Sequence, residues 1–174
     1  MLVDLSHVGP KTSDQAIKHS SRPVAYTHCC PMLLKHPRNK NDEQLRTIAE
    51  HGGFVGFASY TPFLPKGPET TIDDCIEGIN YLINLIGEDS VGLGTDWVQD
   101  QDITFFDYIS ADKGLGRLTT KGFSHSQVPP MPKGLETLGD YRNFIPAMEK
   151  AGWAEKRIRG VLGENWLKFL GQVW

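Results

Sequence analysis

Apolar runs and helical patterns alternate along the first 96 residues of the chain. Four runs are rich in residues that favour strands, and each ends at a loop: 2–7 (LVDLSH), 24–28 (VAYTH), 54–60 (FVGFASY) and 90–95 (SVGLGT). Mostly apolar runs of this length are typical of parallel strands that are buried on both faces. The order β, α, β, α, β, α, β predicts an α/β fold with right-handed parallel connections.

The helices between these runs carry start signals. The third helix has an apolar stripe at a spacing of three or four residues, formed by Ile72, Ile76, Ile79, Ile83 and Ile86. Either Thr70 or Thr71 can cap its start, and either Asn41 or Asp42 can cap the helix before it. A run of cap-forming residues at 12–14 predicts the start of the first helix.

The pattern changes after residue 96. Residues 97–132 follow neither period, which predicts a long loop that is functional or covers a site, with His125 as an ordinary residue of that loop. Helical spacing returns at 133–174, where Pro146 is expected to kink a helix. We therefore expect one domain, with four strands and their helices in 1–96, an insert loop at 97–132 and C-terminal helices at 133–174.

Composition narrows the class of protein. The 174 residues are enough for one domain with a real core, and 39% hydrophobic residues, 22% charged residues and a net charge of -3 describe an ordinary globular protein. The 18 lysines and arginines are scattered, which argues against nucleic acid as a partner. No apolar stretch approaches the roughly 20 residues of a membrane span, and no signal-like segment opens the sequence, so we expect a cytoplasmic location.

The three cysteines form no plausible disulfide framework. Cys29 and Cys30 are adjacent, and Cys75 is left over. A thiolate ligand beside His28 is conceivable, but adjacent cysteines lack the C-x-x-C spacing of a zinc site. We interpret all three as reduced, buried side chains.

Two of the predicted strands end in a histidine, His7 and His28, and the fourth is followed by Asp96. The carboxyl ends of parallel strands share one edge of the sheet, so these side chains should converge there. A lone histidine at a strand end is more often a hydrogen-bonded packing residue. Two in matched positions beside a carboxylate favour a hydrolytic metal site.

Two further residues are candidates for substrate binding. The loop at 29–41 carries three cationic side chains, and Arg38 among them could hold a substrate carboxylate with its planar guanidinium. The alternative is a solvated surface loop. Tyr60, at the end of the third strand, either faces the same pocket or belongs to the core.

Several short motifs now resemble a known family in order and spacing: DLSHVG, THC, HPRNKND, GLGTDW, GLETLGDY and LGENWLKFL. They resemble the C-terminal half of the metal-dependent dipeptidases typified by membrane (renal) dipeptidase. The resemblance covers nearly the whole chain outside the insert that follows Asp96. It implies an amidohydrolase-like (β/α)8 barrel of the TIM-barrel type, of which this chain holds about four βα units and the C-terminal helices.

The resemblance also implies roles for single residues. His7 and His28 match two histidine ligands of one zinc, Arg38 matches the arginine that receives the substrate's terminal carboxylate, and Asp96 matches the acid/base aspartate. A complete family site holds two zinc ions, whereas at most one is expected from this chain's own ligands. The family's remaining ligands, a His-x-Asp pair and a bridging glutamate, belong to the first half of the barrel. One departure is that the family's hydrophobe, Asp and Gly after the aspartate are replaced at 97–99.

These implications give two hypotheses. The first is a zinc-dependent dipeptidase, which hydrolyses a dipeptide or small amide through a metal-activated water when a longer chain or a second polypeptide supplies the missing half. The second is a non-catalytic, metal-binding or structural half-barrel. An isolated half-barrel would expose sheet edges, so both hypotheses predict an oligomer or a partner chain.

Overall fold

The computed structural model describes residues 1–33, 36–98, 100–110 and 128–174. Its strands form one parallel sheet in the order β1-β2-β3, with β1 at Ala25–Cys29, β2 at Phe54–Phe57 and β3 at Val91–Leu93. The helices in the first part are α1 (Pro10–His19), α2 (Asp42–Glu50) and α3 (Ile72–Ile86). Those that follow β3 are α4 (Ile103–Ser110), α5 (Phe144–Lys150), α6 (Glu155–Arg159) and α7 (Asn165–Val173). The predicted parallel α/β fold is confirmed.

The first predicted strand, at 2–7, is only partly formed, although Leu5 N donates to Ala25 O at 2.8 Å and Ala25 N donates to Val3 O at 3.1 Å. Within the described chain it forms only one isolated parallel bridge, between Asp4 and Ala25. The backbone carbonyls of segment 5–8 instead accept hydrogen bonds from the side chains of Lys40 and Arg38. The described sheet therefore has three strands where the sequence predicts four.

The sheet is buried on both faces, which explains the lack of alternation in its strands. Every residue of β2 and β3 is buried. Helix α3 packs closely on β2, because a Cβ at Gly78 would lie only 2.5 Å from the Phe57 ring. On the other side of the sheet, the centroid of the Phe54 ring lies 4.2 Å from that of Trp166 and 5.2 Å from that of Phe169, and both of these residues belong to α7.

The predicted helix starts of α2 and α3 are confirmed, and the structure chooses between the alternatives. Asn41 caps α2 in a reciprocal pair with Gln44, at 2.9 and 3.1 Å. Thr71 caps α3 in the same way with Asp74. Such capping boxes satisfy backbone N–H groups that have no partner inside the helix. Helix α1 begins at Pro10, slightly before the predicted run of cap-forming residues.

The C-terminal region is helical, as predicted. A 3-10 helix at Leu138–Asn143 runs directly into α5, whose first turn contains Pro146. The helix type thus changes from 3-10 to α two residues before Pro146, and the kink expected at this proline stays a prediction. The predicted insert loop contains α4, while its part at 111–127, including His125, lies outside the described residues.

The end of the chain holds β3 in place. Asn165 donates a side-chain hydrogen bond of 2.8 Å to the carbonyl of Val91, and the indole of Trp166 donates one of 2.8 Å to Leu93. Both carbonyls belong to β3, so α7 fixes the strand that leads to Asp96. Among the described helices, none has the length and apolar composition that crossing a bilayer requires.

Candidate metal and catalytic site

His7 and His28 meet at the carboxyl edge of the sheet. Their Nε2 atoms lie 3.0 Å apart, and their ring centroids are separated by 5.1 Å. His28 lies within β1, whereas His7 reaches the same place from a loop rather than from a strand end. The structure therefore brings together the two imidazoles that the sequence predicts to converge.

The electrostatic surroundings keep His7 neutral. Partial burial, followed by the electrostatic effects of Arg38 and His28, lowers the pKa of His7 to about 4, against the opposing effect of Asp4. At neutral pH the ring is uncharged and one ring nitrogen keeps a free lone pair. That is the form in which histidine binds metal ions.

A β-bulge shapes β1 where it carries these groups. Tyr26 pairs with Val55 and Cys29 pairs with Phe57, so β1 contains one more residue than β2 between these two pairs. A bulge changes the direction of side chains next to it. Within this irregular interval the side chains of the adjacent residues Thr27 and His28 meet, with Thr27 Oγ1 2.8 Å from His28 Nδ1.

Asp4 lies beneath the histidine pair. It accepts hydrogen bonds from Ser6 and Thr27, and although burial raises its pKa, these bonds lower it overall. Asp4 and Thr27 are not among the residues that the sequence predicts for the site. The only signal in the sequence is their nearness to the candidate ligands, since Asp4 lies three residues before His7 and Thr27 directly precedes His28.

Asp96 lies beside both His28 and Arg38. Its Oδ1 is 3.8 Å from His28 Nε2, its Oδ2 is 4.0 Å from Arg38 Nη2, and 34% of its side chain is exposed. Burial raises the pKa of Asp96 by more than these neighbours lower it. Its backbone has a φ of 61°, a left-handed conformation that is uncommon outside glycine and that aspartate tolerates better than most residues.

Arg38 is buried, with 4% of its surface exposed, so the alternative of a solvated surface residue is wrong. Its Nη1 donates to the Ser6 carbonyl, and the guanidinium carbon lies 5.2 Å from the centre of the Phe63 ring. Its Nε and Nη2 atoms have no hydrogen-bond partner within the described part of the chain. These two N–H groups lie on one edge of the guanidinium, which can pair bidentately with a carboxylate.

Lys40 supports the loop that carries His7. Its ammonium is buried, donates to Val8 O at 2.9 Å and to Leu5 O at 3.3 Å, and lies 4.6 Å from the centre of the Tyr26 ring. Burial lowers the pKa of Lys40 to about 8. A lysine in a sequence rich in charge and proline therefore acts inside the protein, where it hydrogen-bonds backbone carbonyls.

Tyr60 packs against the core and is close enough to Asp96 to be influenced by its charge. Its ring is half-buried and packs edge-on against Phe63, at 5.0 Å between centroids. Burial, together with the negative charge of Asp96, raises the pKa of Tyr60 to about 12. The phenol thus stays protonated near the site and remains a hydrogen-bond donor.

The cysteines are free and buried, as predicted. Burial raises the pKa of Cys29 to about 12 and that of Cys30 well above the usual value. The Cys30 thiol donates to the carbonyl of Ala58. Protonated, enclosed thiols of this kind are poor metal ligands, which leaves the two histidines as the better candidates.

The donor set of this chain fits part of a zinc site. Two imidazoles whose Nε2 atoms converge are ligands that zinc prefers, with a carboxylate close by. Catalytic zinc sites use three protein ligands, and within residues 1–33, 36–98, 100–110 and 128–174 no group of three or more histidine, cysteine or carboxylate side chains is arranged to hold a metal ion. The described residues therefore offer two ligands, and a complete site requires others.

A parallel α/β sheet with a histidine pair, a carboxylate and a buried arginine at its carboxyl edge is typical of metal-dependent hydrolases. The sequence profile of the membrane dipeptidase family (peptidase family M19) matches residues 1–128. The chain belongs to this family, which confirms the resemblance carried by its motifs.

Individual relatives agree with this assignment. An uncharacterised protein in the pqqA 5′ region of Klebsiella pneumoniae is 30% identical over 100% of this chain and 55% of its own length. An amidohydrolase from Pseudomonas aeruginosa superposes with a TM-score of 0.91 at 44% identity, over 100% of this chain and 53% of that one. A Rhodobacter sphaeroides metallo peptidase, liganded with a phosphinate mimic of the dipeptide L-Ala-D-Ala, gives a TM-score of 0.74 at 26% identity, over 98% and 42%. The chain thus spans about half the length of the relatives it matches.

Proposed function

We propose that this chain is the part of a zinc-dependent dipeptidase that carries two ligands of one zinc, the acid/base group and the arginine for the substrate carboxylate. The substrate is a dipeptide or a small amide. The observation that supports this most directly is that the Nε and Nη2 atoms of Arg38 are buried without a hydrogen-bond partner in the described chain. They lie beside Asp96 and the histidine pair. Family membership supports the same reaction.

Each residue has a task that its surroundings suit. His7 and His28 would hold the zinc through Nε2, and the ion, when bound, supplies a Lewis acid that makes water a competent nucleophile near neutral pH. Asp96 accepts a proton from the attacking water and delivers it to the leaving amine, a role that suits a carboxylate with a raised pKa. Tyr60, which stays protonated, can donate a hydrogen bond to the substrate.

The geometry favours a short substrate. Arg38 Nη2 is 4.0 Å from Asp96, and Asp96 is 3.8 Å from His28 Nε2. A carboxylate bound at Arg38 would therefore lie close to the proposed metal ligands, which suits a substrate as short as a dipeptide. The dipeptide mimic in the Rhodobacter sphaeroides metallo peptidase is a ligand of this size.

We further propose that the active assembly is a complete (β/α)8 barrel. The chain matches 55% and 53% of two longer relatives, and its described sheet has three strands. The remaining strands and ligands would come from a longer chain or from a second polypeptide. A half-barrel that binds metal or a partner without hydrolysis is the alternative, supported by the lack of a third metal ligand in the described residues.

Complementation tests the proposal. The chain is co-expressed with the part of the Pseudomonas aeruginosa amidohydrolase that it does not match, loaded with zinc, and assayed on L-Ala-D-Ala and on the C-terminal amide of that dipeptide. We expect hydrolysis only in the complemented assembly, with a strong preference for the free carboxylate. Asp96→Asn in the same assembly should retain zinc and lose activity. A folded, zinc-loaded assembly that hydrolyses neither compound would support the structural alternative.

A further inference from the structure

The carboxylate of Asp4 joins the two segments that carry the histidines. Its Oδ1 accepts from the backbone N–H of Ser6 at 3.0 Å, from Ser6 Oγ at 2.6 Å and from the backbone N–H of Thr27 at 3.1 Å. Its Oδ2 accepts from Thr27 Oγ1 at 2.7 Å. Ser6 directly precedes His7, and Thr27 directly precedes His28. One side chain thus ties both candidate ligands to a common point.

The protons in this network can be assigned. Thr27 has a single hydroxyl proton, and it points to Asp4 Oδ2. Thr27 Oγ1 is also 2.8 Å from His28 Nδ1, so the ring must be the donor in that bond. His28 therefore carries its proton on Nδ1, and its Nε2 keeps the lone pair, 3.0 Å from His7 Nε2. This is the tautomer that a metal bound at Nε2 requires.

The relay passes through the hydroxyl rather than directly. His28 Nδ1 lies 3.8 Å from Asp4 Oδ2, which is beyond hydrogen-bond distance. Ser6 acts in parallel, since its hydroxyl donates to Asp4 and accepts from the backbone N–H of His28 at 3.0 Å. The ring and the backbone of His28 are both held by hydroxyl groups that Asp4 orients.

We propose that Asp4 is a positioning residue, which sets the Nδ1-protonated tautomer of His28 through Thr27 and presents Nε2 to the metal. The inference rests on the proposed function in one respect, that His28 binds zinc through Nε2. Metal-binding histidines usually donate their other N–H to a carboxylate or carbonyl, and loss of that partner weakens metal affinity about 10–100-fold. Here the carboxylate of Asp4 does not bond the ring directly but acts through the hydroxyl of Thr27, which lies between Asp4 and His28.

Two measurements on the chain test this. Ring nitrogen chemical shifts from NMR, taken on the metal-free, isotope-labelled chain at about pH 8, where histidines are ordinarily neutral, report the tautomer of His28. Competition with a chromophoric chelator gives the affinity for zinc sulfate. In the unsubstituted chain we expect a single Nδ1-protonated tautomer. In Thr27→Val we expect a mixture of tautomers and zinc binding weakened about 10–100-fold, with both restored in Thr27→Ser.

Asp4→Asn keeps the shape of the side chain and is the variant to measure if Thr27→Val does not fold. It should also mix the tautomers, because an amide cannot accept at both of its terminal atoms. A single unchanged tautomer and unchanged zinc affinity in the folded variants would overturn the proposal, as would a mixture in the unsubstituted chain. If the unsubstituted chain shows the expected tautomer but binds no zinc, the proposed function fails while the tautomer assignment stands.

Discussion

The Nη2 atom of Arg38 lies 4.0 Å from the Oδ2 atom of Asp96. Arg38 belongs to the loop after β1 and Asp96 follows β3, so the contact spans the carboxyl edge of the sheet. Nη2 is also one of the two Arg38 nitrogens that have no hydrogen-bond partner in the described chain. A substrate carboxylate bound there would share Arg38 with Asp96, which would place substrate recognition next to the proposed acid/base group.

Arg38→Lys should impair the recognition of a free carboxylate. The lysine keeps the charge but cannot offer two parallel N–H groups, and a hydrogen bond to a charged group contributes about 1.5–3 kcal/mol. In the complemented assembly we expect KM for L-Ala-D-Ala to rise about 10–100-fold, with little change for the C-terminal amide. Steady-state kinetics on both compounds measure this. Arg46→Lys, on the exposed surface of α2, is the matched control. An equal rise for both compounds would contradict the assignment.

His7→Ala and His28→Ala should each abolish zinc binding by the chain. The two Nε2 atoms lie 3.0 Å apart, and neither imidazole alone retains a zinc ion. Zinc content per chain after gel filtration is the measurement. His19→Ala, an exposed substitution at the end of α1, should leave the content unchanged. Zinc retained in either site variant would show that the ligands lie elsewhere.

The sequence was sufficient for features that depend on local pattern. The stripe of isoleucines and the cap at Thr71 predict α3 because both act within a few residues of each other. The uninterrupted apolar runs predict buried parallel strands for the same reason. The convergence of His28 with Asp96 also follows from a rule, since parallel strands share their carboxyl edge.

The features that the sequence could not show depend on distant side chains. The segment that ends at His7 looks like a strand, but its carbonyls are bonded by Lys40 and Arg38, more than 30 residues away. These two cations lie in a stretch that reads as a polar surface loop. Their burial becomes understandable only when the backbone carbonyls they bind are known. The sequence does not show the role of Asp4 for a similar reason, because its partner Thr27 lies on another segment.

Gly94→Ala should destabilise the sheet at the site. A Cβ at Gly94 would lie 1.8 Å from the carbonyl oxygen of Thr27 and 3.3 Å from the Cα of Gly56, so backbone must move. Overpacking of this kind costs about 1–3 kcal/mol of unfolding free energy. Urea unfolding measures it. Gly171→Ala in α7, where a Cβ meets nothing within 4 Å, is the control and should be neutral or stabilising. Equal stability of the two variants would show that the strands can separate freely.

Lys40 should give the chain a pH-dependent stability. Burial lowers its pKa from 10.5 to about 8, so between these values the unfolded chain binds more protons than the folded chain. The contribution of Lys40 is therefore fully present above pH 10.5 and is lost as the pH falls through about 8. The raised pKa values of Cys29 and Cys75, both about 12, act in the opposite direction, because these thiols ionise first in the unfolded chain.

The comparison with Lys40→Met separates the two effects. Both proteins contain the same cysteines, so the difference between their unfolding free energies isolates the lysine. We expect that difference, unsubstituted chain minus variant, to rise with pH between about 8 and 10.5, the window set by the two pKa values of Lys40. Urea unfolding at several pH values across this window measures it. A difference that stays constant with pH would mean that the Lys40 ammonium is solvated in the folded chain. The interpretation that Lys40 supports the His7 loop would then have to be abandoned.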